Sequence, residues 1–179
     1  MSISKPMELH TVFYRFQQVR QQLGFVAPLS AEQQAEVAQW LPTAAALLFR
    51  TMSNADQQHS LRVCRGLQTI GCTEEDMLAA ALLHDIGKAQ RRVPFWTRPT
   101  IVIGKKLAPR LLTRLVVYPA KEQIMPRWQR SLSYAWYHAE VGAELAAQVG
   151  LSERAVLYIR THHQPDGPAA LLHKVDEVS

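Results

Sequence analysis

Ala79-Ala80-Ala81-Leu82-Leu83-His84-Asp85-Ile86-Gly87-Lys88 is the stretch around which the chain is organised. It opens as a run of strong helix formers with no polar face, which predicts a buried helix. It closes on an imidazole, a carboxylate and an ammonium within five residues, with Gly87 read as the stop signal. Polar groups of that kind are costly to bury without partners. A solvated helix end would satisfy the decapeptide alone, so the other histidines must decide.

They recur with a fixed grammar. His59 is followed by Gly71 twelve positions on, then Thr73-Glu74, and His84 comes thirteen after the glycine. His138 is followed by Gly150 at the same twelve, then Ser152-Glu153, with His163 thirteen after that glycine. Each segment reads as helix, glycine C-cap, hydroxyl N-cap with an acidic first turn, and second helix. Thr73 and Asp76 fit a capping box with Asp replacing the usual Glu. At about 1.5 Å per residue the arms are roughly equal in length, so each hairpin brings its outer ends together. His59 is therefore expected beside His84, and His138 beside His163. Packing the hairpins with those ends in common gathers four imidazoles, with Asp85 and His162 adjacent.

The remaining chain bounds the fold. A length of 179 residues with 47% hydrophobic content suits one cored domain and excludes disorder. Val12, Phe13, Phe16, Val19 and Leu23 recur at helical spacing over Met7–Leu23. Ser30 caps a helix through Leu41, and Pro42 starts another. Asn54 and Asp56 mark the entry to the helix carrying His59. Lys105–Tyr118 reads as one amphipathic helix despite Pro109, with Leu107, Ala108, Leu111, Leu112, Leu115 and Val116 on one face. Pro94, Pro99, Pro119 and Pro126 bound irregular stretches around it. Ile101-Val102-Ile103 is the sole, short strand candidate, so the fold class is all-α. The expected division is 1–52 as N-terminal helices, 53–88 as the first hairpin, 89–137 as an insert, and 138–179 as the second hairpin with a last short helix.

Cys64 and Cys72 form neither a disulfide framework nor a CxxC pair, and packing roles in a reducing cytoplasm are expected. No signal peptide or membrane span is visible. From Lys88 to Arg130 there are eleven Lys or Arg and one acid, Glu122. Such an insert can be a solvated helix face, a rim that attracts an anionic substrate, or a peripheral membrane contact. Without interleaved aromatic and basic residues it makes a poor nucleic-acid platform. The N-terminal amphipathic segment could also serve a homodimer.

Imidazole and carboxylate donors without thiolate favour Mn, Fe, Co, Ni or Zn. His59, His84, Asp85, His138, His162, His163 and Asp176 are more ligands than one ion can use. Two divalent ions sharing Asp85 would account for the surplus, and Lys88 would neutralise phosphate charge. His10 falls outside the pattern, and His173 suggests an outer contact.

At these residues the chain resembles the HD-domain superfamily of metal-dependent phosphohydrolases, over about 53–179. His59, the HDIGK segment from His84 and the later Asp176 carry the likeness. The additional His138, with Gly142 following, and the His162-His163 pair are similar to the dinuclear branch that includes HD-GYP phosphodiesterases and small HDIG-type nucleotide hydrolases. The resemblance implies a helical bundle in which His59, His84, Asp85 and Asp176 hold one metal. Asp85 would bridge to a second held by His138, His162 and His163, and Lys88 would contact substrate phosphate. The implied substrate is a nucleotide or related phosphorylated small molecule. A diiron oxygenase and a non-catalytic nucleotide-, lipid- or partner-binding module are the alternatives. Two departures stand out. His163-Gln164-Pro165-Asp166-Gly167-Pro168 lacks the tyrosine of a GYP loop, which weighs against cyclic di-GMP as substrate. Asp176 lies near the end of the chain, so Asp166 competes for its place.

Overall fold

The computed structural model describes residues 26–89, 97–118 and 125–179. The helix expected over Met7–Leu23, with His10, lies outside them. The described residues are α-helical, with no strand among them: α1 Ala31–Trp40, α2 Thr43–Phe49, α3 Asn54–Thr69, α4 Glu75–Leu83, a 3-10 turn Ile86–Lys88, α5 Thr97–Leu107, α6 Pro109–Leu115, α7 Arg127–Gln148, α8 Glu153–Thr161 and α9 Ala170–Asp176. The all-α bundle expected from periodicity is the observed fold.

Helix α4 is the axis of the core. Every residue from Met77 to Leu83 is buried, which explains a sequence without a polar face. It packs against α3, α8 and α1, while α7 packs on α8 and on the 3-10 turn. Leu61, Leu67, Leu78, Leu82, Ile159 and Leu172 are fully enclosed between these helices. Cys64 belongs to the same core, and burial pushes its thiol up to about 12, so it is an unreactive packing group. Cys72 is half-buried and also free.

Local chemistry sets the helix ends. Ser30 and Gln33 form a complete capping box. Ser53 caps α3 by accepting from the Asp56 amide, so Asn54 is the first helical residue. Gly71 and Gly150 close the inner turns at φ +87° and +83°, a conformation that favours glycine.

Four expectations are corrected. Thr73 does not cap α4; Glu74 occupies that position and makes no side-chain cap bond. The acids of this turn are instead engaged by α8: Glu74 accepts from the Tyr158 hydroxyl at 2.9 Å and Arg154 Nη1 at 3.2 Å, and Asp76 accepts from Ser152 Oγ at 2.6 Å. Lys105–Tyr118 is not one helix. Proline disfavours helical backbone at the preceding residue, and Ala108 leaves the helix at φ −145°, dividing α5 from α6. Pro99 lies inside the first turn of α5, with Ile101-Val102-Ile103 in the same helix. Finally, α7 runs unbroken from Arg127 through His138, so the spans 89–137 and 138–179 share one helix.

Candidate metal centre

Helices α4 and α8 are both nine residues long. Ser152, Arg154 and Tyr158 tie the start of α8 to Glu74 and Asp76 at the start of α4, so the two helices lie side by side and run parallel. Equal length then brings their C-terminal ends level. His84 follows α4 and His162 follows α8, with ring centroids 5.1 Å apart. The C-terminal ends of both helices carry partial negative charge, which favours a cation between them.

Three of the histidines are held by one device. Nδ1 of His84, His138 and His162 donates to the carbonyl three residues earlier: Ala81 at 2.8 Å, Ala135 at 2.8 Å and Ile159 at 2.7 Å. That bond orients each ring and, in the neutral tautomer it assigns, leaves the lone pair on Nε2. His173 Nδ1 lies 3.0 Å from the carbonyl oxygen of His162 and steadies the same turn from α9. The outer contact expected of His173 is therefore made through backbone.

Two triads result. His59, His84 and Asp176 form one; His138, His162 and His163 form the other. In the first, His59 Nε2 meets Asp176 Oδ1 at 2.9 Å, and the same oxygen lies 3.6 Å from His84 Nε2. In the second, Nε2 of His163 and of His138 are 2.8 Å apart. His162 Nε2 is buried with no hydrogen-bond partner. His59 stands beside His84 and His138 beside His163, with centroid separations of 5.4 and 4.8 Å.

Asp85 lies between the triads. Its Oδ2 is 3.6 Å from His84 Nε2, and its Oδ1 is 3.6 Å from His138 Nε2 and 2.5 Å from Lys88 Nζ. Burial opposes its charge, but Lys88 and the surrounding imidazoles outweigh it and hold the carboxyl well below the usual range. Asp176 is likewise opposed by burial and lowered by its bonds to His59 and His84. Burial and neighbouring positive charge hold His138 down to about 3 and His163 to about 4, and His162 is also lowered. Burial also resists charging of His84, but the two aspartates reverse the sign and raise it. Anionic carboxylates and mostly neutral imidazoles are the protonation states a cation requires.

Gly87 has a different role from the stop expected of it. Its φ is not positive; instead, a Cβ there would sit 2.0 Å from the His138 carbonyl oxygen. Gly142, one turn after His138, meets Ile86 and Gly87 at the same crossing. Two missing side chains let α7 press against the 3-10 turn, which carries His138 to Asp85. The signal was in the sequence, as glycine in a helix four residues after a histidine, but the partner was not. Asp166 is exposed in its turn and belongs to neither triad, whereas Asp176 belongs to the first.

The donor set fits divalent first-row cations: nitrogen and oxygen ligands, a buried Nε2 without a partner, and second atoms already fixed by backbone. The HD-domain family model matches residues 57–178, which include all the side chains of both triads, Asp85 and Lys88. No curated protein and no solved structure matches the chain. With most of the chain matched, and the His84-Asp85 doublet at its buried centre, the chain belongs to the HD-domain superfamily of metal-dependent phosphohydrolases.

Proposed function

We propose that the protein hydrolyses a phosphate ester or anhydride of a nucleotide or related phosphorylated small molecule, using two divalent cations that share Asp85. The single observation that carries it is the placement of Asp85 between two ligand triads. His59, His84 and Asp176 would hold one cation, and His138, His162 and His163 the other. Bound cations supply Lewis acidity for activating water and for stabilising charge on a phosphoryl group. The protein's own part is orientation and charge. Asp85 stays ionised because Lys88 and the imidazoles outweigh its burial. Lys88, partly exposed at the edge of the site, is placed to exchange its contact with Asp85 for a phosphate oxygen. This assignment groups the chain with the dinuclear branch similar to HD-GYP phosphodiesterases, with cyclic di-GMP disfavoured by the loop after His163.

A panel of phosphomonoesters, phosphodiesters and nucleotides, assayed with Mn²⁺, Fe²⁺, Co²⁺, Ni²⁺ and Zn²⁺, tests the proposal. Hydrolysis is expected with at least one cation and should vanish on chelation. Asp85→Asn, isosteric but uncharged, should lose on the order of 10³-fold or more in rate while remaining folded. Substrate-dependent oxygen uptake by the iron-loaded protein, without phosphate release, would overturn the proposal in favour of an oxygenase.

A further inference from the structure

The charge of this chain is divided between two regions. Residues 88–130 hold eleven Lys or Arg and one acid, while the remainder holds nine Lys or Arg against fourteen acids. The basic segment contains α5 and α6, which form a separate small core with α7. Leu112, Val116 and Leu132 are buried there, with Ile101, Leu115, Trp136 and Tyr137 packed against them. Gly104 allows the close crossing, since a Cβ on it would meet the Leu112 side chain at 2.9 Å. The inward faces of both helices are thus accounted for.

Their outward faces are not wholly polar. Ile103 is 56% exposed, Leu107 75% and Leu111 57%. Ile103 and Leu107 lie four apart on α5, hence on one face. On α6, Leu111 lies between Arg110 and Arg114, both exposed. Trp128 is 48% exposed at the start of α7, where Gln129 bonds the Leu115 carbonyl at the end of α6. Isolated exposed leucines need no explanation, but aliphatic side chains beside arginines on the one strongly basic segment do. Such a surface matches an anionic bilayer in both respects: arginine for the headgroups, aliphatic and indole groups for the acyl boundary. Nucleic acid would be served by the charge and not by the aliphatic residues. Among the described residues no helix is long and apolar enough to cross a membrane, so the contact would be peripheral.

We infer that the corner between α5 and α6 is a docking surface for an anionic membrane, with Leu107 and Leu111 entering the headgroup layer and Arg110 and Arg114 holding its phosphates. It is independent of the metal chemistry, because none of these residues belongs to either triad. The test is sedimentation of the full chain with vesicles of phosphatidylcholine alone and of phosphatidylcholine containing phosphatidylglycerol. Binding is expected only to the anionic vesicles. Leu107→Ser with Leu111→Ser should weaken it roughly tenfold or more, as should Arg110→Glu with Arg114→Glu. Circular dichroism and metal content should stay unchanged in both variants, since all four side chains are exposed. Equal binding to neutral vesicles, no binding to either, or a leucine variant that binds as well as the parent would overturn the inference. So would tighter retention on DNA or RNA than on anionic vesicles at equal salt.

Discussion

The two hairpins of this protein are built alike and end differently. In α3–α4 the helix finishes on His84-Asp85; in α7–α8 it finishes on His162-His163. Both first residues follow nine-residue helices and donate Nδ1 to the carbonyl three back. The second residue of each doublet is where the hairpins part, a carboxylate in one and an imidazole in the other. The first triad also recruits Asp176 from α9, whereas the second contains no acid. One side of the site therefore carries its own negative charge. A cation at the other would depend on Asp85 and on the helix ends for its attraction. Under the two-metal proposal the first triad should bind more tightly, and the second should be the one that can be emptied alone.

Replacing His138 and His162 together by Gln tests this comparison most directly. The purified protein should fall from two bound ions to one, measured by elemental analysis, and lose roughly 10²–10³ in kcat. One ion in the parent and one in the variant would break the comparison, leaving the second triad a hydrogen-bonded cluster. The reciprocal His59→Gln with Asp176→Asn should cost both ions if the first triad fills before the second.

Next comes the contact that presses the two halves together. Gly87→Ala places a methyl 2.0 Å from the His138 carbonyl, so α7 must move and stability should drop by about 1–3 kcal/mol in denaturant melts. Gly142→Ala faces nearest neighbours at 3.2 to 3.4 Å and gains up to about 1 kcal/mol of helix propensity, so it should cost clearly less. Equal costs would mean that the crossing is softer than its geometry implies.

The last comparison is in pH dependence, where His84 differs in sign from the second triad. His138 titrates near 3 and His163 near 4 when folded, against 6.5 for free imidazole. The unfolded chain therefore binds protons that the folded one refuses, and the stability of chelator-treated protein should decline as pH falls from about 6.5 towards 4. His84, raised, has the opposite sign: it contributes stability below 6.5 that is lost as pH rises through its folded value. Asp85 and Asp176, lowered, contribute above the ordinary carboxylate range, and that contribution goes only at more acidic pH. His138→Gln should flatten the decline between 6.5 and 4.

Much of this was legible in residue order. Helix periodicity, Gly71 and Gly150, and the histidine spacing located both hairpins and most of the site, because local backbone preferences and helical rise depend on nearby residues alone. The repeat could still mislead by one position. Spacing from the glycines pairs His84 with His163, but α4 begins a residue later than Thr73 suggested, so the structural partner of His84 is His162 and that of Asp85 is His163. The cause is tertiary: the acids near Thr73 face Ser152, Arg154 and Tyr158 on another helix instead of capping their own. The choice of Asp176 over Asp166 was likewise made by α9 packing on α3, which brings residue 176 within 2.9 Å of His59 across 117 positions of chain. Gly87 shows the same limit. A glycine after a helix reads as a cap from sequence, and only the approach of α7, fifty residues on, reveals that its missing side chain makes room for a second backbone.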